Sequence, residues 1–269
     1  MKLCRFQPLE FSSANLSRSE KKSHPEARAG VIEGGEVREI KSLFGVPEFT
    51  GSDWPLAEIR LLVPAMPSKI VCVGRNYAEH AAELGNEVPK EPLIFLKPPS
   101  SVIGPDEPIL IPSISQRVDY EGEFAIVIGE RCYRPAAGED LRRYILGYTC
   151  LNDVTARDLQ IRDVQFTRGK SFDTFCPIGP FIEAEWIVAS ATVETHVNGQ
   201  RKQFGHTSQM LFSPDAIIRW IAQVMTLLPG DVIATGTPPG VGALAAGDTV
   251  EVSVSGIGTL RNPVAAREE

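Results

Sequence analysis

A long succession of short, apolar, β-branched runs, most of them closed by turn residues, constrains this chain more than any other feature. Runs at 70–73, 93–96, 109–111, 124–128, 145–150, 193–197, 232–235 and 249–254 read as strands. Three shorter runs at 2–6, 30–32 and 37–39 precede them, and Gly34-Gly35 marks a hairpin turn between the last two. Asn198-Gly199 marks another hairpin after 193–197. Helical spacing is confined to a few places. Ser213-Pro214 reads as an N-cap and first-turn proline ahead of Ile217, Ile218, Ile221 and Val224-Met225. Residues 155–163 form a second candidate, and 77–84 a third, with Asn76 as N-cap and Gly85 as the stop. There is no internal repeat and no strand–helix–strand alternation, which argues against a Rossmann sheet or a (β/α)8 barrel. The expected class is mainly β with inserted helices, α+β.

Two regions differ in texture. Residues 1–65 hold the short N-terminal runs and a polar stretch, 12–28, that reads as a solvated loop. Pro64 and Pro67 suggest a linker, after which 66–269 carries most of the strands and the chemistry-bearing residues. The small first region is expected to pack on the second. A net charge of −7 gives no electrostatic help to nucleic-acid binding, and it requires any anion site to recruit a local Lys, Arg or metal. The five scattered cysteines show no CxxC pair or zinc-like spacing and read as reduced thiols of a cytoplasmic protein. No run of about 18 apolar residues predicts a membrane span.

The sharpest local signal is Asp119-Tyr120-Glu121-Gly122-Glu123, leading into the apolar run 124–128. Side chains two apart on a strand point the same way, so Glu121 and Glu123 project together. Two such charges are unfavourable unless a cation or proton lies between them. Asp153, at the end of the run 145–151, supplies a third carboxylate. Three carboxylates without a neighbouring His or Cys suit a hard ion such as Mg²⁺ or Mn²⁺ better than zinc. Spacing alone leaves open a solvated strand end with paired surface acids.

The stretch from residue 70 to about 264 resembles the fumarylacetoacetate hydrolase family, particularly its acylpyruvase and 2-hydroxyhepta-2,4-diene-1,7-dioate isomerase branches. The resemblance rests on six blocks in order. They are Val73-Gly74-Arg75-Asn76-Tyr77-Ala78-Glu79-His80, Phe95-Leu96-Lys97-Pro98, Asp119-Tyr120-Glu121-Gly122-Glu123, Asn152-Asp153-Val154-Thr155-Ala156-Arg157-Asp158-Leu159-Gln160, Lys170-Ser171-Phe172-Asp173-Thr174-Phe175-Cys176-Pro177 and Ala234-Thr235-Gly236-Thr237-Pro238-Pro239-Gly240-Val241-Gly242. It implies a mixed β-roll, ligation of Mg²⁺ or Mn²⁺ by Glu121, Glu123 and Asp153, and a homodimer acting on a small 2-oxo acid.

The same resemblance places Lys170 beside the metal as a fixed cation for the substrate's carboxylate or enolate oxygen. His80 and Glu83 lie three apart on the candidate helix, the spacing at which a carboxylate orients a histidine that activates water; in the acylpyruvase branch such a pair belongs to a lid. Arg157 and Gln160, three apart after Asp153, are expected to hydrogen-bond substrate. Thr237 lies in the Gly/Pro turn 236–242, which lacks the Gly-Lys-Ser/Thr of a phosphate loop; with its neighbouring backbone N–H it is expected to bind the substrate carboxylate. Arg75 and Tyr77 are further substrate-binding candidates. The implied chemistry is hydrolysis of a C–C bond in an acylpyruvate through a stabilised enolate. Diene-dioate isomerisation and oxaloacetate decarboxylation are alternatives on the same residues. A non-catalytic metal-binding scaffold is the alternative from another class, and such a scaffold has no need of Lys170, His80 and Glu83.

Overall fold

The computed structural model describes residues 1–9, 26–185 and 190–267. Its N-terminal strands are β1 (Lys2–Pro8), β2 (Arg28–Glu33), β3 (Glu36–Ile40), β4 (Phe49–Pro55) and β5 (Ile59–Leu61). There follow β6 (Ile70–Gly74), helix α1 (Ala78–Glu83), β7 (Leu93–Lys97), β8 (Val102–Ile103), β9 (Ile109–Ile111), β10 (Val118–Tyr120) and β11 (Gly122–Ile128). β12 (Ile145–Asn152) and β13 (Thr155–Ala156) lead into the short helices α2 (Arg157–Asp163) and α3 (Thr167–Lys170). After β14 (Cys176–Glu183) come β15 (Thr192–Val197), β16 (Gln200–His206), α4 (Pro214–Val224) and β17 (Val232–Ala234). The last strands are β18 (Gly242–Ala243), β19 (Thr249–Val254) and β20 (Gly258–Ala266).

The largest sheet runs β4-β3-β2-β1-β14-β12-β11-β17-β6-β7, with β5 joined to β1 and β8 to β14. Most pairs are antiparallel, but β6–β17 and β8–β14 are parallel, so the sheet is mixed. A second sheet runs β16-β15-β19-β20-β9, and a small third one β13-β10-β18. This is the mainly β class with inserted helices that the strand pattern implied.

β11 shows why the run 124–128 has no polar alternation. Phe124, Ile126 and Ile128 pack with Ile217, Ile218 and Ile221 of α4 and with Val252 and Val254 of β19. Ala125 and Val127 face the opposite way, against Cys72, Leu151, Ile178 and Val232. A strand covered on both faces is apolar at every position, and each such large side chain contributes about 1.5–3 kcal/mol by leaving water.

The N-terminal strands extend the same sheet. Lys2 and Leu3 pair with Glu183 and Ile182 of β14, and Leu3, Val31 and Ile40 join the second core. Of the expected polar loop, residues 12–25 lie outside the described residues, while Arg28 begins β2. Both hairpins form as expected: Gly34, Gly35, Asn198 and Gly199 have φ of 57°, 91°, 51° and 75°, the left-handed pairs that a type I′ turn demands. In α4 the Ser213 hydroxyl accepts from the Ala216 N–H at 3.3 Å, and Pro214 opens the helix. Helix α1 ends ahead of Gly85, at φ 67°. Its expected cap is corrected. Asn76 does not cap α1; its side chain donates to the carbonyls of Phe212 and Thr235 and accepts from the Phe212 N–H, tying the turn after β6 to β17. All five cysteines are free and buried. No helix among the described residues is long and apolar enough to cross a membrane.

Candidate active site

The acidic trio is built by strand pairing. Gly122 pairs with Asn152 and Glu123 with Leu151 across β11 and β12, and the next step brings the Asp153 N–H to the Glu121 carbonyl at 2.9 Å. Glu121, Glu123 and Asp153 therefore lie on the face that continues through Ala125, Val127 and Leu151. Ligand atoms of the three lie within 4.8 Å of one another, and all three residues are buried.

Buried carboxylates this close need compensation. Lys170, brought in by α3, donates to Glu121 at 2.9 Å and to Asp153 at 2.6 Å. Lys97, at the end of β7, donates to the other Asp153 oxygen at 2.5 Å and to the Val154 carbonyl at 3.1 Å. Arg157, at the start of α2, bonds Asp119 through Nε and Glu121 through Nη2. Burial alone would raise the Glu121 pKa, but Lys170 and Arg157 hold it well below the usual carboxylate range. Burial opposes the Lys170 cation, yet Asp153 and Glu121 raise its pKa.

Glu123 differs. It makes no ion pair among the described residues and accepts one hydrogen bond, from the Gly236 N–H at 2.7 Å. Burial, and then the charges of Asp153 and Glu121, push its pKa well above the usual range. Without a cation, burial and its acidic neighbours favour the neutral form of Glu123. The trio offers hard oxygen donors and a carboxylate that ionises only with a further positive charge, so its residues fit a divalent ion such as Mg²⁺ or Mn²⁺.

His80 and Glu83 meet as their spacing implied. His80 Nδ1 lies 3.2 Å from Glu83 Oε2, and Glu83 also accepts from the Gly240 N–H at 3.0 Å. The pair thus clasps α1 to the turn 236–242. A ring nitrogen held by a carboxylate at Nδ1 leaves Nε2 free to take a proton.

One cavity of about 270 Å³ gathers these groups. It is lined by Arg75, His80, Glu121, Glu123, Asp153, Arg157, Gln160, Lys170 and Thr237, with Val73, Leu84, Phe95, Ile161 and Phe166 among its apolar walls. One expectation needs correction. Tyr77 does not line the cavity; it is 1% exposed, and its hydroxyl has no hydrogen-bond partner among the described residues. Thr237 lines the cavity, but its hydroxyl proton goes to the Gly122 carbonyl and its oxygen accepts from Gln203. The neighbouring Gly236 N–H donates to Glu123. Arg157 lines the cavity and also holds Asp119, Glu121 and Gln160.

Lys97 and Gln203 carry no role in the sequence reading. Lys97 had a local signal: it shares the face of Leu93 and Phe95 at the end of an apolar strand. Gln203, 1% exposed, accepts from the Gly122 N–H and donates to Thr237 and Pro238, locking the acidic strand to the turn 236–242. Nothing local in 200–206 marked it.

Residues 69–265 match the family described as fumarylacetoacetate (FAA) hydrolase, C-terminal. The chain belongs to the fumarylacetoacetate hydrolase family. Residues 21–64 match the family described as Rv2993c-like, N-terminal. A 2-hydroxyhepta-2,4-diene-1,7-dioate isomerase from Mycobacterium marinum is 44% identical, with a TM-score of 0.86 over all of both chains. An oxaloacetate tautomerase, fahd2, of Xenopus laevis is 43% identical over 77% of this chain and 69% of its own. A maleylpyruvate hydrolase from Sphingobium, solved with manganese(II) and pyruvate, is 28% identical, with a TM-score of 0.78 over all of both chains. The family's members named here are enzymes, hydrolase, isomerase and tautomerase among them.

Proposed function

We propose that this fumarylacetoacetate hydrolase family member is a divalent-metal-dependent enzyme of small 2-oxo acids, and that it hydrolyses a C–C bond in a 2,4-dioxo acid of the acylpyruvate type. The observation that carries the reading is the convergence of Glu121, Glu123, Asp153, Lys170 and His80 on one cavity, with Glu83 holding His80 from outside the lining. Glu121, Glu123 and Asp153 would hold Mg²⁺ or Mn²⁺, which when bound supplies Lewis acidity toward the substrate's oxygens. The Sphingobium hydrolase, with its manganese(II) and pyruvate, supports both the ion and the 2-oxo acid.

The chain's own groups supply the rest. Lys170, fixed between Glu121 and Asp153, stabilises the negative charge that develops on the 2-oxo oxygen. His80, oriented by Glu83, takes a proton from water while the water oxygen bonds the C4 carbonyl carbon. The C3–C4 bond then breaks; its electron pair forms the pyruvate enolate, and the acyl part leaves as a carboxylic acid. The proton returns to C3. Phe95, Phe166 and Ile161 wall the cavity and restrict bulk water.

A second reading, keto–enol or double-bond isomerisation, is favoured by the Xenopus tautomerase and the M. marinum isomerase. It needs the same enolate stabilisation but only a proton shuttle at His80. Acetylpyruvate, oxaloacetate and a 2-hydroxydienedioate, each tested with Mg²⁺ or EDTA, separate the two. Metal-dependent release of acetate and pyruvate in equal amounts, lost in His80→Ala, supports hydrolysis. Turnover of the other substrates alone transfers the assignment to isomerisation. No turnover of any of them removes both readings.

A further inference from the structure

β17 runs beside β11 only as far as Ala234, which pairs with Ala125, and the Thr235 N–H then adds a bond to the Phe124 carbonyl. Backbone pairing resumes where Tyr120 of β10 meets Gly242 of β18. Between these two ladders, four residues on one side, 121–124, face seven on the other, 235–241. The surplus makes the turn 236–242 an excursion out of the sheet, and that excursion delivers two backbone donors to the site. The Gly236 N–H reaches Glu123 at 2.7 Å, and the Gly240 N–H reaches Glu83 at 3.0 Å. Across the gap stands Gly122, between the two glutamates. Residues two apart on a strand bond toward the same edge, so the Gly122 N–H and carbonyl face the edge that β17 has left.

Gln203 fills this gap. Its carbonyl oxygen accepts from the Gly122 N–H at 2.9 Å and from the Thr195 hydroxyl at 2.7 Å. Its amide group donates to Thr237 Oγ1 and to the Pro238 carbonyl, both at 2.8 Å. Thr237 completes the bridge by donating to the Gly122 carbonyl. Two donors and two acceptor positions are the full capacity of a primary amide, and all four are used. The turn packs closely on β16 at the same place: a Cβ on Gly240 would lie 2.2 Å from the Lys202 carbonyl oxygen. We infer that Gln203 is a positioning residue for both halves of the site. By holding Gly122 against the turn 236–242, it fixes Glu123 through Gly236 and the His80–Glu83 pair through Gly240. This rests on the proposed function, which gives Glu123 to the metal and His80 to proton transfer. Gln203 lies outside the cavity lining and acts only through these bonds.

The test compares the wild type with Gln203→Met, of similar shape but without the amide, and with the shorter amide Gln203→Asn, each checked for a native fold by circular dichroism. Mn²⁺ affinity, read by electron paramagnetic resonance, reports the Glu123 end. The His80 ring signal in a proton–nitrogen correlation spectrum at fixed pH, assigned by its loss in His80→Gln, reports the other end. Gln203→Met should bind Mn²⁺ about tenfold more weakly, and its His80 signal should move toward the position found in Glu83→Gln. Gln203→Asn keeps the amide but is too short to span the gap, so it should shift both readouts the same way, and it carries the test if the methionine variant does not fold. A merely structural residue would lower Tm and leave both readouts in place. That result, or a change at one end only, overturns the inference while Mn²⁺ binding by the wild type still supports the proposed function. A wild type that binds no Mn²⁺ overturns both.

Discussion

Glu123 decides the electrostatics of the site, because it is the one member of the trio without an ion-pair partner among the described residues. Burial and its two acidic neighbours raise its pKa. A carboxylic acid whose folded pKa exceeds its unfolded one lends stability that is complete below the ordinary carboxylate range and is lost as pH rises through the raised value. The metal-free protein should therefore lose stability with rising pH. The increase in Tm produced by Mg²⁺ over EDTA should grow as pH rises above the ordinary carboxylate range. A Mg²⁺ effect independent of pH would contradict the protonated state. In the proposed reaction Lys170 faces developing charge, so Lys170→Met should lower kcat by about 100- to 1000-fold while Mn²⁺ still binds. A variant that loses metal and activity together would make Lys170 a structural support of the trio. At this scale the sequence showed the trio, through a two-residue strand spacing plus a third acid at a strand end. It did not show Gln203 or the engaged hydroxyl of Thr237, because each depends on which strands become neighbours, and of Lys97 it showed only a place at the end of an apolar strand.

Among the elements, β11 carries the heaviest constraint. Gly122, between the two glutamates, has no room for a side chain: a Cβ there would lie 2.1 Å from Thr195 Oγ1 and 3.2 Å from Val252 Cγ1. Gly122→Ala should destabilise the fold by about 1–3 kcal/mol in urea titration and misplace both glutamates. A neutral result would show that β15 and β19 can yield. α4 was legible from its cap and helical spacing, and α1 from its glycine stop, though not from the expected Asn76 cap. α3 was not, since four residues around Gly169 carry no periodicity, yet Gly169 and Lys170 are buried. The helix expected over 155–163 begins at Arg157, because Thr155 and Ala156 pair with β10 as β13. β14 escaped because Pro177, Gly179 and Pro180 interrupt it, and Pro263 does the same in β20. Those prolines survive in strands because tertiary pairing overrides local propensity.

Over the whole molecule, β1 lies against β14 about 180 positions later, so the N-terminal strands and the catalytic core share one sheet and one apolar cluster. No local pattern reveals a pairing so distant in sequence, which is why the sequence suggested a small region packed on a larger one. Leu3 is 2% exposed within the shared cluster. Leu3→Ala should cost about 2–4 kcal/mol, with fluorescence and near-ultraviolet circular dichroism reporting one coincident transition. Two separated transitions would show the N-terminal strands to be an independent unit. The assembled charges also explain how an acidic protein handles an anion. The net charge is −7, yet the cavity concentrates Lys170 and Arg157 around a buried trio whose oxygen donors fit a divalent ion. The most direct measurement is a Mn²⁺ titration followed by electron paramagnetic resonance, comparing the wild type with Glu123→Gln, whose neutral side chain mimics the protonated acid and preserves the metal-free fold. One tight Mn²⁺ per chain in the wild type and none in Glu123→Gln, with both proteins folded, is the predicted result. Equal binding by both, or no binding by the wild type, would contradict the metal site and the function built on it.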